Sequence, residues 1–207
     1  LESYTRSFRS AQRLIYIENQ FLWAPELVQI LAEKLREPPQ PDFRLVLVLP
    51  ARPNNGKDDT SGQLGVLAAA DDGADRLLAA TLRSLSEGRD DPLYVHAKVA
   101  IVDDRWLTVG SANLNAHSLM NDTEMNVATN DPGLARDTRV RLWAEHLGLD
   151  ESTVAASDPC ELVDERWRPI AMEQLQRRHD GTAPTHRLLA MPGVSHRSRR
   201  LLGPLQA

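Results

Sequence analysis

One short stretch of the sequence constrains this chain more than any other. It runs from His96 and Lys98 through Asp103 to a Gly-Ser-Ala-Asn turn at residues 110–113. The alternating pattern over residues 94–102 predicts a β-strand whose every second side chain shares a face, so His96 and Lys98 are expected side by side. An imidazole can attack phosphorus or protonate a leaving oxygen, and an ammonium neutralises phosphoryl oxygens as charge builds there. The spacing therefore points to phosphodiester chemistry at one end of a strand.

The chain around this motif is predicted to alternate helices and strands. From a helical opening at Leu1, the patterns predict in order a strand at 14–21, a helix at 25–36, a strand at 43–49, a loop at 50–62, a helix at 64–70 and a strand at 76–84. After the motif they predict a turn at 103–105, a strand at 106–109, a last strand at 125–129 and a helix at 134–147, preceded by an Asp131-Pro132 cap and stopped by Gly148. Such alternation implies an α/β sandwich.

Composition limits the remaining choices. The 207 residues are 42% hydrophobic and 26% charged, as is typical of one soluble globular domain with an apolar core. The net charge of -5 argues against a generally basic nucleic-acid binder. One cysteine, Cys160, allows no internal disulfide, and no apolar run approaches the ~20 residues of a membrane-spanning helix. Because the chain opens on Leu1 within a helical pattern, we expect the true start to be missing; a cytoplasmic or membrane-peripheral location is the expectation.

The pattern His-x-Lys-x4-Asp-x6-Gly-Ser-x-Asn resembles the HKD signature of the phospholipase D superfamily. Further stretches that are similar to the family are Ile-Tyr-Ile-Glu-Asn-Gln-Phe at 15–21, the run at 121–125, the segment at 139–148, and the tail around 158–159 and 167–169. The resemblance implies a phospholipase D-like α-β-α sandwich half, with a central mixed sheet flanked by helices. It identifies residues 1–150 as a catalytic half-domain with one HKD motif, in the C-terminal half of a bacterial phospholipase D-like protein. Residues 151–207 would then be a C-terminal extension, basic toward its end.

The resemblance also implies roles for the motif residues. In the family, two histidines from two half-sites divide the work: one forms a phosphohistidine and the other acts as general acid and base. His96, in the second half by position, is expected to protonate the leaving alcohol and then activate water. Lys98 would neutralise the phosphoryl charge, and Ser111 and Asn113, after the close turn at Gly110, would contact the same phosphate oxygens.

Four further residues receive expectations of their own. Glu124 matches the family's acidic residue, which orients the motif histidine through its other ring nitrogen. Asn19 and Gln20 fall at a strand end close to the site and are candidates for phosphate or partner-half contacts. Asp103 has the opposite parity to His96, so we expect it to hold the hairpin by accepting hydrogen bonds.

Each of these assignments has a plainer alternative. Without the motif, His96 reads as a buried, hydrogen-bonded histidine, Lys98 as an exposed strand lysine and Glu124 as a solvated carboxylate. Ser111 and Asn113 are also ordinary turn residues. The remaining histidines lack comparable surroundings and metal-ligand spacing, and are expected to be structural or on the surface: His117, His146, His179, His186 and His196. No metal or other cofactor is expected, since lysine and amide groups supply the electrostatics.

The favoured substrate class is phospholipid head groups, cleaved or exchanged with the help of an upstream HKD half or of a second copy of the chain. A nuclease of the same superfamily, acting as a homodimer, is the second possibility, because the motif contacts only phosphate. The third is a non-catalytic phosphate- or lipid-binding module. The tail over 177–202 concentrates arginines with leucines between them, and such a tail is able to contact anionic lipid, although a solvated terminus is the plain alternative.

Overall fold

The computed structural model describes residues 1–54, 57–86 and 89–191. The helices in this part of the chain are α1 (Glu2–Ser10), α2 (Pro25–Arg36), α3 (Lys57–Asp71), α4 (Ala116–Met120), α5 (Pro132–Leu147), α6 (Glu151–Ala156), α7 (Pro159–Leu162) and α8 (Arg168–His179), with a π-helical turn at Val163–Trp167 before α8. The strands are β1 (Leu14–Asn19), β2 (Leu22–Trp23), β3 (Arg44–Val48), β4 (Leu77–Ser86), β5 (Arg89–Pro92), β6 (Lys98–Val102), β7 (Trp106–Gly110), β8 (Leu114–Asn115), β9 (Asn126–Thr129) and β10 (Leu188–Ala190).

The main sheet is mixed, with strand order β10-β4-β3-β1-β6-β7-β9. β1, β3 and β4 run parallel to one another, whereas β6, β7 and β9 follow as antiparallel neighbours. β5 folds back on β4 as a hairpin, and β2 pairs with β8 in a small separate ladder. The parallel and antiparallel parts of the sheet meet at β1, which pairs with β3 on one side and with β6 on the other.

Helices cover both faces of this sheet, because its central strands are apolar on both faces. All six residues of β1 are buried. Ile15 and Ile17 face a core built with α1, α2 and α3, while Leu14 and Tyr16 face a second core built with α5 and α8. Alternate residues of β1 thus pack into two different cores, because successive side chains of a strand point to opposite faces of the sheet. The predicted α-β-α sandwich with a central mixed sheet is confirmed.

Local sequence signals predicted the ends of two helices. α2 has the predicted bounds, with Pro25 in its first turn, where a missing N–H costs nothing. α5 is capped by Asp131, whose carboxylate accepts hydrogen bonds from two backbone N–H groups of the first turn. It ends at Gly148, which adopts the left-handed conformation with φ 65°.

Three local predictions were wrong. The segment 50–62 was predicted to be a loop because its sequence is polar, but α3 already begins at Lys57. The motif strand begins at Lys98 rather than at Tyr94, because the neighbouring β1 ends at Asn19, the partner of Lys98, and leaves earlier residues no strand to pair with. β9 is not the last strand, since β10 pairs with β4. The short elements β5 and α4 and the helices after residue 150 were not predicted.

Residues after 150 complete the second face of the sandwich. Trp167 is fully buried in the second core, and β10 adds a strand beside β4. The division at residue 150 stays a prediction, and residues 192–207, at the basic end of the tail, lie outside the described residues. In the described part of the chain, none of the helices has the length and apolar character needed to cross a membrane.

Candidate functional site

The motif residues gather at one end of the main sheet. β1 ends at Asn19, which pairs with Lys98 at the start of β6, and β7 ends at Gly110, which pairs with Asn126 at the start of β9. Because β6 and β9 run against the parallel strands, these four positions share the end where β1 and β3 finish. In open α/β sheets, ligands bind at this carboxyl end of the parallel strands.

Lys98 lies at the floor of this region with only 7% of its surface exposed. Its Nζ donates to the carbonyl oxygen of His96 at 2.8 Å and to Oε1 of Gln20 at 3.3 Å. An ammonium carries three N–H bonds, so one remains for a ligand after these two contacts within the described protein. Burial lowers the pKa of Lys98, while the negative charge of Glu124 acts in the opposite direction. The charge of Glu124 therefore offsets part of the effect that burial has on the pKa of Lys98.

His96 is exposed, just before β6 begins. Its carbonyl oxygen is held by Lys98, and its ring lies against the ring of Tyr94, with centroids 6.2 Å apart and planes 27° apart. Within the described residues, neither ring nitrogen of His96 has a protein hydrogen-bond partner. Both nitrogens are thus available to substrate, solvent or another protein segment.

Gln20 is placed next to Lys98, but its amide is occupied at both ends. Oε1 accepts from Lys98, and Nε2 donates to the hydroxyl of Tyr94 at 2.7 Å. The expected phosphate contact of Gln20 stays a prediction. The sequence analysis did not identify Tyr94 as a site residue. Its position two residues before His96, which puts both on the same face of an extended segment, could have indicated it.

Gly110 allows β9 to approach β7 closely. A Cβ at this position would lie 2.2 Å from Oδ1 of Asn126 and 2.4 Å from the carbonyl oxygen of Met125. The same Oδ1 accepts a hydrogen bond from the backbone N–H of Ala112 at 3.0 Å. The glycine is needed for this close approach, which brings the loop carrying Glu124 against the motif turn.

Ser111 connects the motif turn to that loop. Its Oγ donates to Oε2 of Glu124 at 2.5 Å and accepts from the backbone N–H of Met125 at 3.0 Å. Hydrogen bonds from the hydroxyls of Ser111 and Ser118, together with the charge of Lys98, hold the pKa of Glu124 below its ordinary value. The carboxylate therefore contacts Ser111, and its expected role in orienting His96 stays a prediction.

Replacing Ser111 by Ala is expected to raise the pKa of Glu124, because the largest contribution to its lowered value is lost. Carbon-13 NMR of the Glu124 carboxyl group across a pH titration measures this shift directly. Ser157→Ala is the control, since the hydroxyl of that half-buried serine donates to the carbonyl of Thr153 in α6. An unchanged titration of Glu124 in the Ser111 variant would show that the hydroxyl does not stabilise the carboxylate.

Asn113 and Asn19 differ in how their amides are used. Oδ1 of Asn113 is buried and has no hydrogen-bond partner in the described part of the chain. Rotating this amide puts an N–H donor at the same buried place, so whichever end lies there lacks a partner within the described protein. Oδ1 of Asn19, by contrast, accepts from the backbone N–H groups of Leu114 at 3.1 Å and Phe21 at 3.2 Å. Asn19 thus fixes the segment that follows the motif turn, and its expected phosphate contact stays a prediction.

Asp103 lies at the opposite end of β6, remote from the other motif residues. Its carboxylate accepts three backbone N–H bonds, from Gln12 at 2.7 Å and from Arg13 and Leu14 at 2.8 Å each. Its backbone adopts the left-handed region with φ 51°, which aspartate and asparagine tolerate better than most residues. Asp103 therefore anchors the start of β1, the strand that carries Asn19 to the site.

Replacing Asp103 by Asn is expected to cost about 1–3 kcal/mol of unfolding free energy, because charge-assisted bonds are lost or weakened. Asparagine keeps the positive φ accessible, so the loss reports the carboxylate itself. Urea unfolding of the two proteins measures it. Asp72→Asn is the matched control, since Asp72 also has a positive φ, of 49°, and its side chain is exposed. Equal midpoints for both variants would contradict the anchoring role.

A second buried polar group lies on the other face of the sheet. His146, in α5, is 4% exposed, and its Nε2 is 3.0 Å from Oε1 of Glu18, which also accepts from the hydroxyl of Tyr16 at 2.5 Å. His146 was expected to be structural or on the surface, and the structure makes it a buried contact between α5 and β1. Its neighbour Glu18 lies directly before Asn19 but faces the second core.

In the described ranges 1–54, 57–86 and 89–191, no group of three or more histidine, cysteine or carboxylate side chains is arranged to hold a metal ion. The expectation that the chemistry needs no metal stays a prediction.

Comparison with known families gives a match over residues 4–144, to the family described as "Cardiolipin synthase, PLD-like domain". This range contains every candidate site residue. Among curated proteins, phospholipase D alpha 1 of Nicotiana tabacum is 32% identical over 137 residues, which cover 53% of this chain and 17% of that protein. Phospholipase D alpha 1 of Carica papaya is 29% identical over 189 residues, covering 82% of this chain and 22% of that protein. The chain thus spans less than a quarter of the length of these relatives.

Two solved structures share the fold. One is described as a phospholipase D family member, Nuc from Salmonella typhimurium, with a TM-score of 0.54 and 19% identity. The other is NucT from Helicobacter pylori, with a TM-score of 0.53 and 15% identity. Each alignment covers 70% of this chain and 84% of the other. At such low identity the likeness concerns the fold alone. The curated relatives named above are plant proteins, and the bacterial affiliation stays a prediction.

Proposed function

This chain belongs to the phospholipase D superfamily, as the match over residues 4–144 shows, and we propose that it supplies one half of a phosphodiesterase site that cleaves or exchanges phospholipid head groups. Phosphodiesterase chemistry at the level of the superfamily is supported by the family match and by the curated relatives. The head-group substrate, the choice between hydrolysis and transfer, and the phosphohistidine intermediate are parts of the proposal.

The observation that carries the proposal is the arrangement around Lys98. Its buried ammonium donates to the backbone carbonyl of His96 and keeps one N–H free, while the ring of His96 is exposed. Oδ1 of Asn113, in the same motif, has no partner in the described part of the chain. A phosphodiester carries one negative charge and several oxygens that accept hydrogen bonds. A preorganised cation of low exposure stabilises such an anion more strongly than a solvated lysine would.

In the proposed reaction, a histidine of a second half attacks phosphorus and forms a P–N bond while the P–O bond to the alcohol breaks. His96, protonated beforehand, gives its proton to the leaving oxygen. His96 then accepts a proton from water, or from an acceptor alcohol, whose oxygen attacks phosphorus and breaks the P–N bond. The first histidine leaves with its electron pair, and the enzyme is restored. Lys98 neutralises the phosphoryl oxygens in both steps.

The second half is an upstream HKD half of the same protein or a second copy of this chain. The exposed, unpartnered ring of His96 is consistent with a site that another protein segment completes. Contact of the basic tail with an anionic membrane is part of the proposal, and its residues from 192 onward lie outside the described residues.

Substrate choice is tested by assaying the natural protein, with excess chelator, on phosphatidylcholine vesicles, on an aryl phosphodiester and on single-stranded DNA. We expect choline release, or head-group exchange when a primary alcohol is added, to be the fastest of these reactions. Faster DNA cleavage would replace the lipid proposal by the nuclease alternative. Absence of turnover on all three substrates would favour a module that only binds phosphate groups.

A further inference from the structure

We propose that Tyr94 is a positioning residue that holds both His96 and Lys98, one by ring stacking and the other through the amide of Gln20. The placement of Tyr94 stands on its contacts alone. The effect on catalysis rests on the proposed function.

The side-chain amide of Gln20 lies between Lys98 and Tyr94. Lys98 only donates hydrogen bonds, so the amide oxygen of Gln20 must face it, at 3.3 Å. The amide nitrogen therefore faces Tyr94, at 2.7 Å, and the phenol oxygen accepts this bond. Gln20 is only 8% exposed, so losing either partner would leave a buried polar group unsatisfied. Lys98 thus sets the amide direction, and the tyrosine hydroxyl keeps the amide in that direction.

The phenol oxygen of Tyr94 also accepts the backbone N–H of Asn54 at 3.3 Å. It therefore joins the segment after β3 to the end of β1, where Gln20 lies. With two accepted bonds in the described structure, its own proton remains free to be donated. The hydroxyl thus connects two chain segments to the motif lysine.

The ring of Tyr94 contacts the imidazole of His96. His96 precedes β6, so the hydrogen bonds of the sheet do not fix its backbone as they fix that of Lys98 and the residues after it. Two contacts replace them: Lys98 donates to the carbonyl of His96, and the ring of Tyr94 stacks on the imidazole with the two planes 27° apart. Offset ring pairs of this kind are favourable beyond the burial of their area. Tyr94 makes this contact at the surface, where 38% of the residue is exposed.

NMR of the full 207-residue chain tests the placement without relying on turnover. Tyr94→Phe keeps the ring and removes the hydroxyl, so the side-chain amide protons of Gln20 should move upfield and exchange faster, while the ring protons of His96 stay close to their original positions. Tyr94→Leu removes both contacts, so the signals of Gln20 and of His96 should both move. Leu93→Ala is the control, because Leu93 is the exposed neighbour of Tyr94. Leu93→Ala should move neither the Gln20 signals nor the His96 signals.

The proposal is overturned if Tyr94→Leu moves the Gln20 and His96 signals no more than Leu93→Ala does. It is also overturned if Tyr94→Phe moves the His96 ring signals as far as Tyr94→Leu does, since stacking would then not hold the imidazole. Gln20→Met tests separately whether the two contacts of Tyr94 are independent. This variant should change the environment of the Lys98 Nζ and leave the His96 ring against Tyr94. Loss of that stacking in Gln20→Met would likewise contradict two separate contacts.

Kinetics of the natural protein then measure the catalytic consequence. Misplacing a reacting group by about 1 Å costs up to roughly 10²-fold, so Tyr94→Leu should lower kcat by about 10- to 100-fold with a smaller change in KM. Tyr94→Phe should recover most of this loss. If the wild-type protein turns over no phosphodiester, the proposed function fails, while the NMR result still decides where Tyr94 acts.

Discussion

Replacing His96 by Ala is expected to lower kcat/KM for cleavage of an ordinary phosphodiester by roughly 10³-fold, the scale that general acid–base catalysis contributes. The leaving alkoxide is a strong base and needs the proton that His96 would supply. A p-nitrophenolate leaving group needs little such help. The same variant should therefore release the first equivalent of p-nitrophenol almost as fast as the wild type, and then slow down because water is no longer activated.

Initial-rate and burst measurements on the two substrates separate these steps. His179→Ala is the matched control, because His179 lies at the end of α8 with 84% of its side chain exposed. It should retain wild-type rates. Equal losses of His96→Ala on both substrates, including the burst, would contradict the acid–base role and favour His96 as the nucleophile.

Replacing Gly110 by Ala is expected to destabilise the fold by about 3 kcal/mol, the upper part of the usual range for overpacking. The new Cβ would meet a backbone oxygen of Met125 at 2.4 Å and the Cα of Asn126 at 2.5 Å. Neither atom can turn away as a flexible side chain would, so β9 must shift. The loop with Glu124 would move with it, and the Ser111–Glu124 hydrogen bond would weaken.

Urea unfolding measures the stability change, and the carboxyl signal of Glu124 reports the movement of its loop. Gly133→Ala is the matched control, because a Cβ there meets only the side chain of Asp131, at 3.2 Å. Alanine also favours a helix, so that variant should be neutral or slightly stabilised. A Gly110→Ala protein as stable as the wild type would show that β9 tolerates a wider spacing from β7.

Local patterns predicted much of the fold because they report local physics. Pro25 and the Asp131–Gly148 pair mark helix ends through backbone constraints that act within a few residues. The alternation through the motif placed Ala97 and Val99 correctly in the second core, on the face opposite Lys98. It could not place the start of β6, because that depends on where β1, about eighty residues earlier, comes to an end.

Contacts between distant segments were the part that the sequence could not supply. Asp103 binds backbone groups about 90 residues earlier, and Gln20 meets Tyr94 across 74 residues. Neither pairing leaves a periodic signal, because each is made by one side chain that reaches across the sheet. The motif residues could therefore be identified from the sequence, whereas the residues that hold them in place could be identified only from the structure.

The stereochemical course at phosphorus tests the central claim most directly. The natural protein is given a phosphodiester made chiral by sulfur and oxygen isotopes, with excess chelator present, and the product configuration is determined. Two successive displacements, first by a histidine and then by the water or alcohol that His96 activates, predict overall retention. Overall inversion would mean that water attacks in a single step, and would contradict a site that two histidines share through a phosphohistidine.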